Sequence, residues 1–172
     1  MKNIKDIKSL KILGIDPGTA TTGWGLVSSD NKTPRVLAYG CIETSKAESD
    51  SLRLKEVATD MREIIQKYNP DEIAVEGLYF FKNLKTAIKV AQSRGVLLLV
   101  PTEMKLPVFE YTPLQIKQAL TGYGRAEKKQ IQYMVKNILE LKAIPKPDDA
   151  ADALAVALCH QQSRKLELLK SN

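Results

Sequence analysis

The chain is poor in residues that support sulfur or imidazole chemistry. Its 172 residues include two cysteines, Cys41 and Cys159, and one histidine, His160. The cysteines lie far apart with no CxxC spacing, which argues against a zinc site or a disulfide scaffold and predicts reduced residues in or near the core. Long apolar runs are also lacking. The longest, Val96 to Pro101, is far too short to cross a bilayer, and the opening MKNIKDIKSL has no apolar stretch suited to a signal peptide. A soluble, cytoplasmic protein without a membrane partner is expected. With 44% hydrophobic residues the chain can bury one ordinary core. We expect a short extension over residues 1–10, a single domain over 11–165 and a tail over 166–172. A formal net charge of +6 suits a polyanionic partner without requiring one.

Against this background the carboxylates stand out. The apolar run Ile12 to Ile15 ends on Asp16, and Pro17-Gly18 stops the strand and turns the chain. A charged side chain beside Ile and Leu is costly to bury unless it meets a partner such as a metal ion. Asp16 is therefore a candidate ligand, although Asp before Pro-Gly also serves as a plain turn residue. The pattern recurs in DEIAVEG, where a short apolar strand from Asp71 finishes on Glu76. Two strands that each deliver an acid at the C-terminal end, where open sheets place their sites, are a stronger signal than either alone. Taken singly, Glu76 could be a solvent-facing strand end.

Further strands are expected at Trp24 to Ser28 and Arg35 to Ile42, joined by the polar run Ser29 to Pro34, and at Pro107 to Tyr111. Apolar positions at helical spacing predict a helix over Ser51 to Tyr68, stopped by Asn69-Pro70. After Glu76 come three aromatics, Tyr79, Phe80 and Phe81, then a basic helix with Lys82, Lys85, Lys89 and Arg94. The aromatics can be core and the lysines a wet face, or an aromatic can stack on a base while lysines follow phosphates. Thr112-Pro113 reads as an N-cap with proline in the first turn of a short helix bearing Lys117. Beyond Gly122 and Gly124 another helix has Arg125, Lys128 and Lys129 near its N-terminal end, where cations oppose the helix dipole. Such placement fits either a solvated charge run or a bound anion.

The final helix opens with DDAADALAVALCH. Asp149 and Asp152 are three apart and so share a face within a segment of Ala, Leu and Val that predicts burial. Buried acids of one sign need a cation or a shared proton. Asp148 is assigned as the N-cap, and His160, two turns beyond Asp152, as a satisfied or exposed helix residue rather than a ligand. The element order predicts a mixed sheet with helices on its faces that gathers Asp16, Glu76, Asp149 and Asp152. Four carboxylates without His or Cys suit the hard cations Mg²⁺ or Mn²⁺. Two such ions about 4 Å apart can activate water and stabilise the leaving oxygen of a phosphodiester.

Four segments carry a specific likeness: GIDPGTATTGWG, VEGLYFFKN with SRGV, EYTPLQIKQALTGYGRAEKKQI, and DDAADALAVALCH. From Leu13 to about Gln162 the chain resembles the RuvC-type Holliday junction resolvases, of the ribonuclease H-like fold. The resemblance implies an α/β domain with a mixed five-stranded sheet flanked by helices. It implies that Asp16, Glu76, Asp149 and Asp152 are catalytic acids holding two Mg²⁺ ions, with Mn²⁺ able to substitute. It implies that Tyr79 stacks on a base near the junction centre and that Lys117 and Lys128 contact DNA. A homodimer nicking opposed strands of four-way junction DNA in recombination and repair, alongside the RuvA and RuvB branch-migration proteins, is the expected assembly. The sequence departs from the family pattern in its longer lead, Met1 to Lys11, and in the doubled Asp148-Asp149.

Two other readings compete. The GIDPGTATTG segment also resembles the first phosphate loop of actin-like ATPases and sugar kinases, but those need a second domain for which 172 residues leave no room. A ribonuclease H-like nuclease acting on RNA or non-junction DNA is the nearer alternative.

Overall fold

The computed structural model describes residues 9–18, 20–29, 33–78 and 84–170. Its strands are β1 (Leu10–Asp16), β2 (Thr21–Ser29), β3 (Arg35–Glu43), β4 (Glu72–Glu76) and β5 (Val108–Tyr111). Its helices are α1 (Asp50–Tyr68), α2 (Leu84–Glu103), α3 (Pro113–Thr121), α4 (Lys128–Ile138) and α5 (Asp148–Lys170). The five strands form one sheet in the order β3-β2-β1-β4-β5. The first three strands pair antiparallel, whereas β4 joins β1, and β5 joins β4, in parallel. The parallel joins are made through α1 and α2, as parallel neighbours require crossovers.

Strand β1 is apolar at successive positions because both of its faces are covered. Leu13 and Ile15, with Ile73 and Val75 of β4, are buried against Val57, Met61 and Ile65 of α1 and Leu97 and Val100 of α2. Ile12 and Ala74 face the opposite way, into a second core built by α3, α4 and α5. Helix α1 starts at Ser49, whose hydroxyl accepts from the Leu52 N–H at 3.4 Å. It ends at Asn69, which takes a left-handed φ of 48° immediately before Pro70. Thr112 caps α3 through a reciprocal exchange with Gln115, with Pro113 in the first turn.

Glycines decide where α5 lies. A Cβ on Gly14 would sit 2.1 Å from the Ala153 carbonyl oxygen, and one on Gly23 would sit 2.0 Å from that of Asp149. On Gly25 it would lie 2.6 Å from Leu154 Cγ. With no side chain at these positions, the helix backbone rests directly on β1 and β2. The expected N-cap role of Asp148 is corrected. The Pro147 carbonyl accepts from the N–H groups of Ala150 (3.1 Å) and Ala151 (3.4 Å), so Pro147 caps and Asp148 already belongs to the first turn. Asp148 points outward, with Lys146 Nζ 2.6 Å from its carboxylate holding its carboxyl below the usual range.

Candidate active site

Asp16 is the last residue of β1 and Glu76 the last of β4, on neighbouring parallel strands. Counting by twos along each strand places both on the α5 side of the sheet, with Ile12 and Gly14, and with Glu72 and Ala74, respectively. In the β1–β2 register Asp16 stands opposite Gly23, the residue on which the Asp149 carbonyl rests. The first turn of α5 is thereby brought to the carboxylate end of β1. Asp152 lies one turn further along α5 and lines a cleft of about 180 Å³ together with Glu76, Lys117, Lys128, Ile116 and Ile131.

The acids act on one another. Burial, and then the negative charges of Glu76 and Asp152, push the Asp16 carboxyl up to about 8. A side-chain hydrogen bond between Asp16 and Glu76 raises Asp16 further and pulls Glu76 down. Burial also raises Glu76, and Asp152 adds to it; the bond from Asp16 and the charges of Lys128 and Lys117 pull the other way. Asp152 is raised by burial but held by Lys128, whose Nζ lies 2.5 Å from Oδ2. Burial alone would lower the Lys128 ammonium, yet its bond and attraction to Asp152 leave it raised. The cation at the N-terminus of α4 therefore has a specific partner, which accounts for its locally unfavourable position. Asp149 contributes a weaker repulsion to Asp16 and to Asp152.

Among the described residues no three His, Cys, Asp or Glu side chains are drawn into a ready-made metal cage. The donor set nonetheless fits a hard divalent cation: four carboxylates at one end of the sheet, with Asp16 pushed up by burial and its acidic neighbours and Asp152 leaning on a lysine.

Tyr79 lies outside the described residues, so the structure gives no position for it. Two features went unread in the sequence. Cys41 borders the site opposite Gly23; burial and the charges of Asp149 and Glu43 push its thiol up to about 11, which keeps it neutral. Glu72, at the start of β4, receives His160 Nε2 at 2.7 Å and Arg164 Nε at 3.0 Å. The second was traceable: a Glu in an apolar strand and a His in an apolar helix each call for a buried partner.

Sheet order and strand-end carboxylates define a ribonuclease H-like nuclease. The model of the family described as crossover junction endodeoxyribonuclease RuvC matches residues 12–160, and this chain belongs to that family, one of metal-dependent nucleases. A crossover junction endodeoxyribonuclease RuvC from Halothermothrix orenii is 56% identical over 156 residues, covering 90% of this chain and 94% of the relative. The Thermus thermophilus RuvC structure superposes with a TM-score of 0.86 at 35% identity, covering 92% of this chain and 97% of that one. T. thermophilus RuvC in complex with Holliday junction substrate gives a TM-score of 0.83 at 32% identity, over 91% and 96% of the two chains. No helix of the described residues is long and apolar enough to cross a membrane.

Proposed function

We propose that this chain resolves four-way DNA junctions by metal-dependent hydrolysis of symmetrically placed phosphodiesters. The observation that carries the reading is the pair Asp16 and Glu76, half-buried acids at the ends of neighbouring parallel strands, with Glu76 lining a cleft shared with Lys117 and Lys128. Asp16, Glu76, Asp149 and Asp152 would hold two Mg²⁺ ions, with Mn²⁺ able to substitute. When bound, these ions supply the charge that makes a water nucleophilic near neutral pH and that stabilises the departing oxygen.

The chain's own groups have separable tasks. Asp16 gives up its proton when the site is loaded, and Glu76 then faces it as a second anionic ligand. Lys128 leaves Asp152 and turns to a junction phosphate, which Lys117 meets from α3. Tyr79, following Glu76 by three residues, stacks on a base near the crossover. Residues 11–165 form the nuclease domain, working in the cytoplasm with the RuvA and RuvB proteins.

A homodimer suits a substrate with two-fold pseudosymmetry. Its best support is α2, where Ile88 is 61% and Leu99 55% exposed. Eleven residues is three helical turns, so the two share a stripe, and Gly95 between them has open space where a Cβ would be. Two such helices can approach closely at the glycine.

The test is incubation of the purified protein with an immobile four-way junction and with a linear duplex of the same arms, in Mg²⁺, Mn²⁺ or chelator. Paired nicks in the junction alone, lost with chelator, are expected. Equal cutting of the duplex would overturn junction selectivity.

A further inference from the structure

The two halves of the acid site are mounted differently. Asp16 and the α5 acids are fixed to each other by backbone contact, through Gly14 and Gly23. Glu76 ends β4, whose span EIAVE has no glycine to admit the helix backbone, and β4 meets α5 through side chains such as Ala74. Besides the packing of Ala74 and the bond from Arg164 Nε to Glu72 at 3.0 Å, a largely buried polar chain joins them. The Tyr111 hydroxyl lies 2.7 Å from His160 Nδ1, and His160 Nε2 lies 2.7 Å from Glu72 Oε2. A carboxylate can only accept, so Nε2 carries the proton and Nδ1 accepts from the tyrosine in the neutral ring. His160 is 1% exposed, with the Phe109 ring 4.4 Å away.

Both ends of this chain lead to Glu76. Tyr111 stands beside it in the β4–β5 register, and the Gly77 N–H donates to the Tyr111 carbonyl at 2.8 Å. Glu72 is four residues back on the same strand and the same face. His160 is on α5, eight residues past Asp152. We propose that the Tyr111–His160–Glu72 chain is a positioning device that sets the separation of Glu76 from the acids of α5, and with it the affinity for the cation they share. The proposal rests on the four acids being the metal site.

The test is Mn²⁺ binding by titration calorimetry to the full chain, wild type, Tyr111→Phe and His160→Phe, with melting temperature and Gly77 amide exchange measured on the metal-free proteins. Outer partners of metal ligands typically change affinity by 10- to 100-fold. For His160→Phe we expect Mn²⁺ affinity to fall on the order of 10-fold, with Tyr111→Phe weaker in the same direction and Gly77 exchanging faster. His160→Gln, which retains a donor for Glu72, should recover part of the affinity. Val57→Ala, on the far face of the sheet, is the control for stability alone and should melt lower with unchanged Mn²⁺ affinity. If His160→Phe fails to fold, Tyr111→Phe, which loses one hydroxyl, decides. Unchanged Mn²⁺ affinity in Tyr111→Phe, with Asp16→Asn losing binding, would overturn the positioning role and leave the acid site standing. Wild-type binding by Asp16→Asn would overturn the acid site itself.

Discussion

A Cβ on Gly23 would lie 2.0 Å from the carbonyl oxygen of Asp149, so a β2 glycine sets how near the α5 acids come to Asp16. The obstacle is backbone, which cannot rotate away. Gly23→Ala is expected to lift the first turn of α5, destabilising the fold by about 1–3 kcal/mol. Junction cleavage should fall by at least about 10-fold, since displacing reacting groups by 1 Å costs on the order of 100-fold. Thermal melting and single-turnover cleavage check both; full activity would mean that α5 is placed by other contacts.

The Asp16 carboxyl, raised to about 8 from 3.8, makes the metal-free protein pH-sensitive. A raised acid binds its proton more tightly when folded, so its stabilising effect is present at low pH and is lost as pH rises from about 4 through about 8. The melting temperature of the metal-free protein should carry a component that falls across that window and disappears in Asp16→Asn. Mg²⁺ must displace the proton, so binding at pH 7 should release it. Calorimetry in two buffers of different ionisation enthalpy reads this directly. Identical heats would show that Asp16 is already ionised.

Lys117 and Lys128 line one cleft but differ in partner, since Lys128 holds Asp152 at 2.5 Å. Changing either to Gln should weaken junction binding and lower the salt slope by about 1. Lys128→Gln alone should also shift the metal dependence of cleavage, because Asp152 loses its resident cation. Binding measured from low to high salt, with a Mg²⁺ titration of cleavage, separates the two. An unchanged salt slope would remove both lysines from the phosphate path.

The exposed stripe of α2 predicts the consequence of placing a charge on it. Leu99→Glu should convert a dimer to a monomer in sedimentation, leaving the fold intact because Leu99 is 55% exposed. The monomer should lose coordination of the two nicks. A Leu99→Glu protein that sediments as wild type would place the interface elsewhere.

Much of this was legible in the sequence, for physical reasons that differ by residue. Asp16 and Glu76 were readable because an acid closing an apolar strand is conspicuous under a period of two, and both strands end where expected. The capping of α3 followed from Thr112-Pro113 alone. The partner of Lys128 was not readable: that cation sits at a helix N-terminus for the sake of Asp152, a contact made only when α4 and α5 pack. Gly14, Gly23 and Gly25 reveal that something approaches the strands, not that it is the α5 backbone. Sequence does not separate an N-cap from a first-turn role for Asp148, because an acid is favoured at both positions.

The most direct measurement is cleavage and binding of an immobile four-way junction by Asp16→Asn beside the wild type, in Mg²⁺ and in chelator. Asn keeps the size of the side chain and removes the charge that a cation needs. Wild type should nick in Mg²⁺ and not in chelator, and Asp16→Asn should bind the junction with similar affinity in both and nick in neither. Residual Mg²⁺-dependent cleavage by Asp16→Asn at a wild-type rate would contradict a metal site built on Asp16.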